Sequence, residues 1–141
     1  MKVLIDSNVI LDIGLHRDPF FESASQLFSY PESRLQFFLT PSACTDIYYI
    51  VRKEKGHQIA VEFLGDLLET CELCHMNKTV FLEAINSSFK DLEDAVQNFA
   101  AIETGLEVIV TRNKKDFTNS QLSVMTPDEL INSLEKTNPS S

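Results

Sequence analysis

Short apolar runs that alternate with helical patterns constrain the fold of this sequence more than any other feature. Residues 3–5 and 108–110 are uninterrupted runs of valine, leucine and isoleucine, which are typical of strands buried on both faces. Between such runs, apolar residues recur at helical spacing, as at Phe20, Ala24 and Leu27. Because strands that alternate with helices form parallel sheets, the pattern predicts an α/β fold in which a central parallel sheet of about four to five strands is flanked by helices on both faces.

No repeat, linker or low-complexity segment divides the 141 residues. An apolar content of 43% over this length is sufficient for one buried core. We therefore expect one domain over residues 1–135. The polar segment 136–141 is expected to be a disordered tail.

The net charge, the apolar runs and the cysteines indicate which partners the protein has and in which cellular compartment it works. A net charge of −9 argues against a nucleic-acid-binding protein, because phosphate binders usually present a basic surface. No apolar run approaches the roughly 20 residues that span a bilayer, and the first residues lack the apolar segment of a secretory signal. Cys71 and Cys74 have no second pair with which to bind a structural zinc ion, so we expect buried small side chains. The sequence predicts a cytoplasmic protein with no membrane partner.

Polar side chains follow two of the predicted strands at the point where each strand ends. Asp6 comes directly after the first strand and Thr111 after the strand at 108–110, while Asn113 and Asp116 lie just beyond. In open parallel sheets, functional sites lie beyond the carboxyl ends of the strands. These side chains are therefore candidate site residues, although Asp116 taken alone is also typical of a turn.

Two further acidic residues lie on predicted helices. Asp46 borders the apolar face of a helix that begins with Thr40 as its cap and Pro41 at the first helical position. The predicted apolar face consists of Ala43, Ile47, Ile50 and Val51. Asp94 lies three residues after Asp91 at the start of another helix, where capping and the helix dipole also explain the pair. Asp46 alone is equally explained as a half-exposed helix residue.

Four carboxylates that converge on one sheet edge need neutralisation. Without a cation they repel one another, which raises their pKa values. Carboxylate oxygens are the ligands that Mg²⁺ and Mn²⁺ prefer. A divalent metal site is therefore the most economical explanation of the four acids together.

The sequence resembles the PIN domain family, a metal-dependent ribonuclease fold that includes VapC-type toxins. The resemblance extends from residue 3 to about residue 126 and rests on four segments. These are residues 4–12 (LIDSNVILD), 42–47 (SACTDI), 91–95 (DLEDA) and 110–117 (VTRNKKDF). The second segment departs from the family pattern, which usually has glutamate where this chain has Asp46. Because aspartate is one methylene shorter, it would still be a metal ligand, either directly or through water.

The resemblance implies a site, a cofactor and partners. Asp6, Asp46, Asp94 and Asp116 would form the catalytic, metal-binding quartet, with Mg²⁺ or Mn²⁺ as cofactor. Residues that would orient the ligands or bound water are Ser7, Asn8, Asp91, Thr111 and Asn113. The expected activity is hydrolysis of RNA phosphodiester bonds by the toxin of a toxin–antitoxin pair. The expected partners are an RNA substrate, an antitoxin protein and a second copy of the chain in a homodimer.

Some alternatives remain open at this stage. A catalytically weak or inactive PIN-like module that binds RNA or a protein partner is the main rival, and the departure at Asp46 keeps it open. Either Asn113 or Asp116 could face the metal; we favour Asp116 because it carries charge. Arg112 and its neighbouring lysines either hold substrate phosphates or form a solvated charged surface. Since a metal ion reverses the sign of an acidic site, the charge of −9 predicts weak, metal-dependent RNA binding rather than excluding it.

Overall fold

Five short parallel strands form the sheet at the centre of the computed structural model, which describes residues 1–137. The strands are β1 (Lys2–Ile5), β2 (Gln36–Leu39), β3 (Cys71–Leu73), β4 (Val108–Val110) and β5 (Ser123–Met125). Their order across the sheet is β3-β2-β1-β4-β5, and every neighbouring pair is parallel. The predicted parallel α/β sheet is confirmed, and β1 with β4 occupies its centre.

Six α-helices and one 3₁₀ helix connect the strands in the described part of the chain, and a seventh α-helix follows β5. They are α1 (Ser7–Gly14), α2 (Phe21–Leu27), α3 (Pro41–Lys55), α4 (His57–Thr70), α5 (Lys78–Ile85), α6 (Leu92–Thr104), the 3₁₀ helix (Lys114–Phe117) and α7 (Pro127–Thr137). The predicted start of α3 is confirmed: the Thr40 side chain accepts a hydrogen bond from the backbone N–H of Ala43, and Pro41 is the first helical residue.

The strand side chains alternate between two apolar cores on opposite faces of the sheet. Val3 and Ile5 of β1 belong to one core, which α1, α2, α3, α4 and α7 cover. Leu4 belongs to the other core, which α5, α6 and the 3₁₀ helix cover. A fully buried side chain of this size contributes about 1.5–3 kcal/mol, so the central strands are held firmly from both sides. This rigid centre carries the carboxyl ends of β1 and β4.

One residue of the predicted apolar face of α3 is not buried in the core. Ala43, Ile47 and Val51 are buried as predicted, but Ile50 is 39% exposed. Ile50 lies four residues after Asp46, and residues at this spacing share a helix face. Both therefore line the same cavity, described below. The prediction for Ile50 was wrong because a cavity wall and a core produce the same apolar periodicity.

The C-terminal helix runs to the last residue that the structure describes. Helix α7 extends to residue 137, and residues 138–141 lie outside the described residues, so the domain boundary at 135 and the disordered tail at 136–141 stay predictions.

Cys71 and Cys74 are buried free thiols. Burial raises their pKa values to about 12 and about 11, respectively, which suits small apolar side chains. Within the described chain, none of the helices combines the length and apolar character that crossing a bilayer requires.

Candidate active site

The carboxyl ends of β1 and β4 open into a cavity of about 500 Å³. Six acidic side chains line it, and three of them belong to the start of α6: Asp6, Asp46, Asp91, Glu93, Asp94 and Asp116. The four predicted acids of the quartet are therefore brought to one cavity. Ser7 and Asn8, at the start of α1, line the same cavity. This concentration of carboxylates in one concave surface is the main electrostatic feature of the site.

Asp6 is fixed at the floor of the cavity by both of its carboxylate oxygens. Its backbone N–H donates to the carbonyl oxygen of Val110 at 2.9 Å, which places it beside the end of β4. The Thr111 hydroxyl donates to Oδ2 at 2.9 Å, and the Gln97 amide Nε2 donates to Oδ1 at 3.3 Å. Burial raises the pKa of Asp6, and these hydrogen bonds only partly oppose the shift. The protein therefore holds a carboxylate in place at an electrostatic cost.

Asp91 and Asp94 combine the two roles that the sequence left open. The Asp91 side chain caps α6 by accepting a hydrogen bond from the backbone N–H of Asp94 at 3.0 Å. Both side chains also line the cavity. Partial burial raises the pKa of Asp94 to about 7, and the charges of Asp91, Asp116, Asp6 and Glu93 add to the shift. Asp94 is thus poised to exchange a proton near neutral pH.

The stability of the metal-free protein is expected to fall as the pH rises through the titration of Asp94. Its pKa is raised from an ordinary value of 3.8 to about 7, so its stabilising contribution is complete below the lower value and is lost as the pH approaches the upper one. Urea unfolding with a chelator at about pH 5 and about pH 8 measures the loss. An Asp94→Asn variant should lose less stability between these pH values than the wild type. An unchanged pH dependence in that variant would contradict the assignment.

Glu93 is a site residue that the sequence analysis missed. Its side chain lines the cavity together with Asp46, whose carboxylate is close enough to influence it. Partial burial and the negative charge of Asp46 raise the pKa of Glu93. The signal was its position directly before Asp94, but an acidic residue in the first turn of a helix is already explained by the helix dipole. The link between Glu93 and Asp46 joins α6 to α3, which no local pattern reveals.

The segment after β4 places Asp116, not Asn113, on the cavity wall. Asn113 donates from Nδ2 to Oδ2 of Asp116 at 3.0 Å, and its backbone N–H donates to the Thr111 hydroxyl at 3.1 Å. Asn113 therefore orients Asp116 and continues the hydrogen-bond chain from Thr111 to Asp6. The geometry favours Asp116 as the residue that faces a ligand.

The donor set of the cavity fits a hard divalent cation. Within residues 1–137, no group of three or more His, Cys, Asp or Glu side chains is already arranged to hold a metal ion. The carboxylates would therefore have to draw together around one. Two buried oxygens on the cavity lining, Ser7 Oγ and Gln97 Oε1, have no hydrogen-bond partner in this part of the chain. Carboxylate, hydroxyl and amide oxygens are the ligands that suit Mg²⁺ or Mn²⁺ and its bound water.

Two of the basic residues beside the site, Arg112 and Lys114, are already engaged in ion pairs. Arg112 Nε lies 2.9 Å from Oδ2 of Asp12, whose side chain is 2% exposed. Lys114 Nζ lies 3.1 Å from Oε2 of Glu129 on α7. The solvated-surface interpretation therefore suits Lys114, whereas Arg112 has a role inside the protein that the sequence did not indicate.

Comparison with known proteins relates the chain to one family. A family model described as "PIN domain" matches residues 2–115. Ribonuclease VapC1 from Aquifex aeolicus is 28% identical over 134 residues, which cover 91% of this chain and 92% of that protein.

Solved structures share the fold at low sequence identity. A toxin–antitoxin complex from Klebsiella pneumoniae contains a chain with a TM-score of 0.68 at 23% identity, with 89% of this chain and 97% of that chain covered. VapBC-1 from nontypeable Haemophilus influenzae gives a TM-score of 0.69 at 13% identity over 91% and 99% of the two chains. VapC20 from Mycobacterium tuberculosis, described as a sarcin-ricin loop cleaving toxin, gives 0.68 at 14% identity over 85% and 95%.

Proposed function

The chain belongs to the PIN domain family, and we propose that it is a metal-dependent endoribonuclease that hydrolyses RNA phosphodiester bonds as the toxin of a toxin–antitoxin pair. One observation carries the proposal: the four acids at the positions of the family motif, Asp6, Asp46, Asp94 and Asp116, line a single cavity at the carboxyl edge of the sheet. The similarity to Ribonuclease VapC1 supports the reaction class.

The four aspartates would hold Mg²⁺ or Mn²⁺, with Glu93 beside Asp46. When bound, such an ion lowers the pKa of a water molecule and stabilises charge on the transferring phosphoryl group. Asp94 is the candidate general base that would accept the proton of the attacking water, since its carboxyl group lines the cavity beside the other three aspartates. Thr111 holds Asp6, and Asn113 holds Asp116, in fixed orientations. The protein's own groups thus position the ligands and accept the proton.

The proposed partners follow from the same relatives. The Klebsiella pneumoniae structure is a toxin–antitoxin complex, and its chain shares this fold; we therefore propose an antitoxin protein as a partner of this chain. An RNA substrate would place the protein in the cytoplasm. A homodimer is a further proposal that rests on the family resemblance.

Incubation of the purified protein with a mixture of tRNA and ribosomal RNA tests the proposed function. We expect cleavage with Mg²⁺ or Mn²⁺ and none with a chelator, because the clustered carboxylates need a cation before they can approach phosphate. Mn²⁺ is also expected to raise the melting temperature of the protein. The alternative, an inactive PIN-like module that binds RNA or a protein, predicts neither cleavage nor stabilisation by Mn²⁺.

A further inference from the structure

Gln97 lies at the floor of the cavity and is almost completely buried. It follows Asp94 by three residues on α6, a spacing that places both side chains on one face of the helix. The residue is 2% exposed and contributes to the lining of the cavity. Buried glutamine side chains normally satisfy both ends of the amide group.

The two ends of the Gln97 amide have different surroundings. Nε2 donates to Oδ1 of Asp6 at 3.3 Å, whereas Oε1 is buried without a hydrogen-bond partner in the described part of the chain. The orientation of the amide is determined by Asp6, because an ionised carboxylate only accepts hydrogen bonds and must face the NH₂ group. The carbonyl oxygen therefore remains available as an acceptor.

Asn98, the next residue of α6, is a buried amide that has hydrogen-bond partners at both ends. Asn98 is also buried, and its Nδ2 donates to Oε1 of Gln121 while its Oδ1 accepts from the Ser120 hydroxyl. Both ends of Asn98 are bonded to side chains that do not line the cavity. Gln97 differs in its contact with Asp6 and in its unpaired oxygen, and both differences relate it to the site.

We propose that Gln97 is a positioning residue of the metal site: its Nε2 group fixes the Asp6 carboxylate opposite Thr111, and its Oε1 atom accepts a hydrogen bond from a water molecule bound to a divalent cation beside Asp6. The inference rests on the proposed function, since it concerns the same site. Groups that orient a metal ligand typically change metal affinity by about 10–100-fold when they are removed. Gln97 thus belongs to the site although it carries no charge.

Gln97→Met tests the proposal, because methionine has a similar shape and lacks both polar groups. The matched control is Gln121→Met, which makes the same chemical change outside the cavity. We expect Gln97→Met to require about tenfold more Mn²⁺ for half of the maximal rise in melting temperature. Its kcat for RNA should fall while KM stays close to the wild-type value. Gln121→Met should leave both the Mn²⁺ titration and kcat unchanged.

A second variant decides the matter if Gln97→Met fails to fold. Gln97→Asn keeps the amide but withdraws it by one methylene, and the bond of 3.3 Å to Asp6 is already near the upper limit for a hydrogen bond. We expect weaker Mn²⁺ binding for this variant too. Wild-type Mn²⁺ affinity in the folded Gln97 variants, or no binding of Mn²⁺ by the wild type, overturns the proposal. A wild type that binds Mn²⁺ but cleaves no RNA contradicts the proposed function alone, and the titration then still decides the role of Gln97.

Discussion

Replacement of Asp6 by asparagine is expected to reduce metal-dependent RNA cleavage by more than about 100-fold and to leave the fold intact. Removal of a group that merely orients a metal ligand costs about 10–100-fold, so the loss of a central carboxylate should cost more. Asparagine has nearly the same shape and keeps one oxygen that can accept the hydrogen bond from Thr111. The substitution therefore removes the charge and replaces the oxygen that accepts from Gln97 by an NH₂ group, which can donate to Gln97 Oε1 if that amide turns over.

The stability of Asp6→Asn should be equal to or higher than that of the wild type at neutral pH without metal. Burial raises the pKa of Asp6, which means that the ionised carboxylate destabilises the folded state as the pH rises above the ordinary value for aspartate. A neutral amide does not have this cost. Thermal unfolding with a chelator measures the effect, and Mn²⁺ should stabilise the variant much less than it stabilises the wild type.

Asp66→Asn is the control for this substitution, since Asp66 is an exposed residue of α4 and does not line the cavity. It should cleave RNA at the wild-type rate. Equal cleavage by Asp6→Asn and the wild type in carefully purified samples would refute the metal-site mechanism. Loss of folding in Asp6→Asn would instead show that the carboxylate is required for the fold.

The parts of the site that follow strands were accessible from the sequence. A buried parallel strand directs the residue after it to the carboxyl edge of the sheet, and Asp6 and Thr111 follow the two most apolar runs. Asp46, Asp94 and Asp116 were candidates from their positions on or near helices, and the resemblance to the PIN motif then grouped them with Asp6. These residues could be predicted because local apolar periodicity locates the strands and helices, and because the four motif segments occur in the family's order along the chain.

The residues that were missed depend on contacts between distant elements. Glu93 reaches Asp46 on α3, and Gln97 reaches Asp6 at the end of β1. Whether a side chain of α6 faces the cavity depends on how the helix is rotated about its axis against the sheet. The packing of α6 in its core determines this rotation. Glutamine carries no charge, so no electrostatic pattern in the sequence distinguishes Gln97 from the adjacent Asn98.

The pair formed by Asp12 and Arg112 is a further long-range contact, and its disruption is expected to produce the largest loss of stability. The two residues are 100 positions apart and connect α1 to the loop that carries Thr111 and Asn113. Asp12 is buried, its Oδ2 lies 2.9 Å from Arg112 Nε, and Arg17 is 3.8 Å from Oδ1. Removal of one member of such a pair leaves a buried charge without its main partner.

Arg112→Met should lower the free energy of unfolding by about 3 kcal/mol at neutral pH. Methionine preserves the packing of the side chain over the Phe20 ring, where the guanidinium carbon now lies 4.3 Å from the ring centroid. Burial already raises the pKa of Asp12, and Arg112 opposes that shift. Without Arg112 the folded-state pKa rises further, so the deficit should grow as the pH increases from about 4 to about 7 and shrink in acid. Urea unfolding across this range measures it.

Lys114→Met is the control for Arg112→Met, because it breaks an exposed ion pair only two residues away from the buried one. The side chains of Lys114 and Glu129 are 47% and 48% exposed, and pairs of this kind contribute at most about 1 kcal/mol to the free energy of unfolding.

The double variant Asp12→Leu with Arg112→Met should recover most of the stability, because apolar side chains can replace a buried ion pair at little cost. Equal losses for Arg112→Met and Lys114→Met, or a double variant no more stable than Arg112→Met, would contradict this account. If the double variant is stable but cleaves RNA slowly, the ion pair positions the Thr111–Asn113 loop in addition to stabilising the fold.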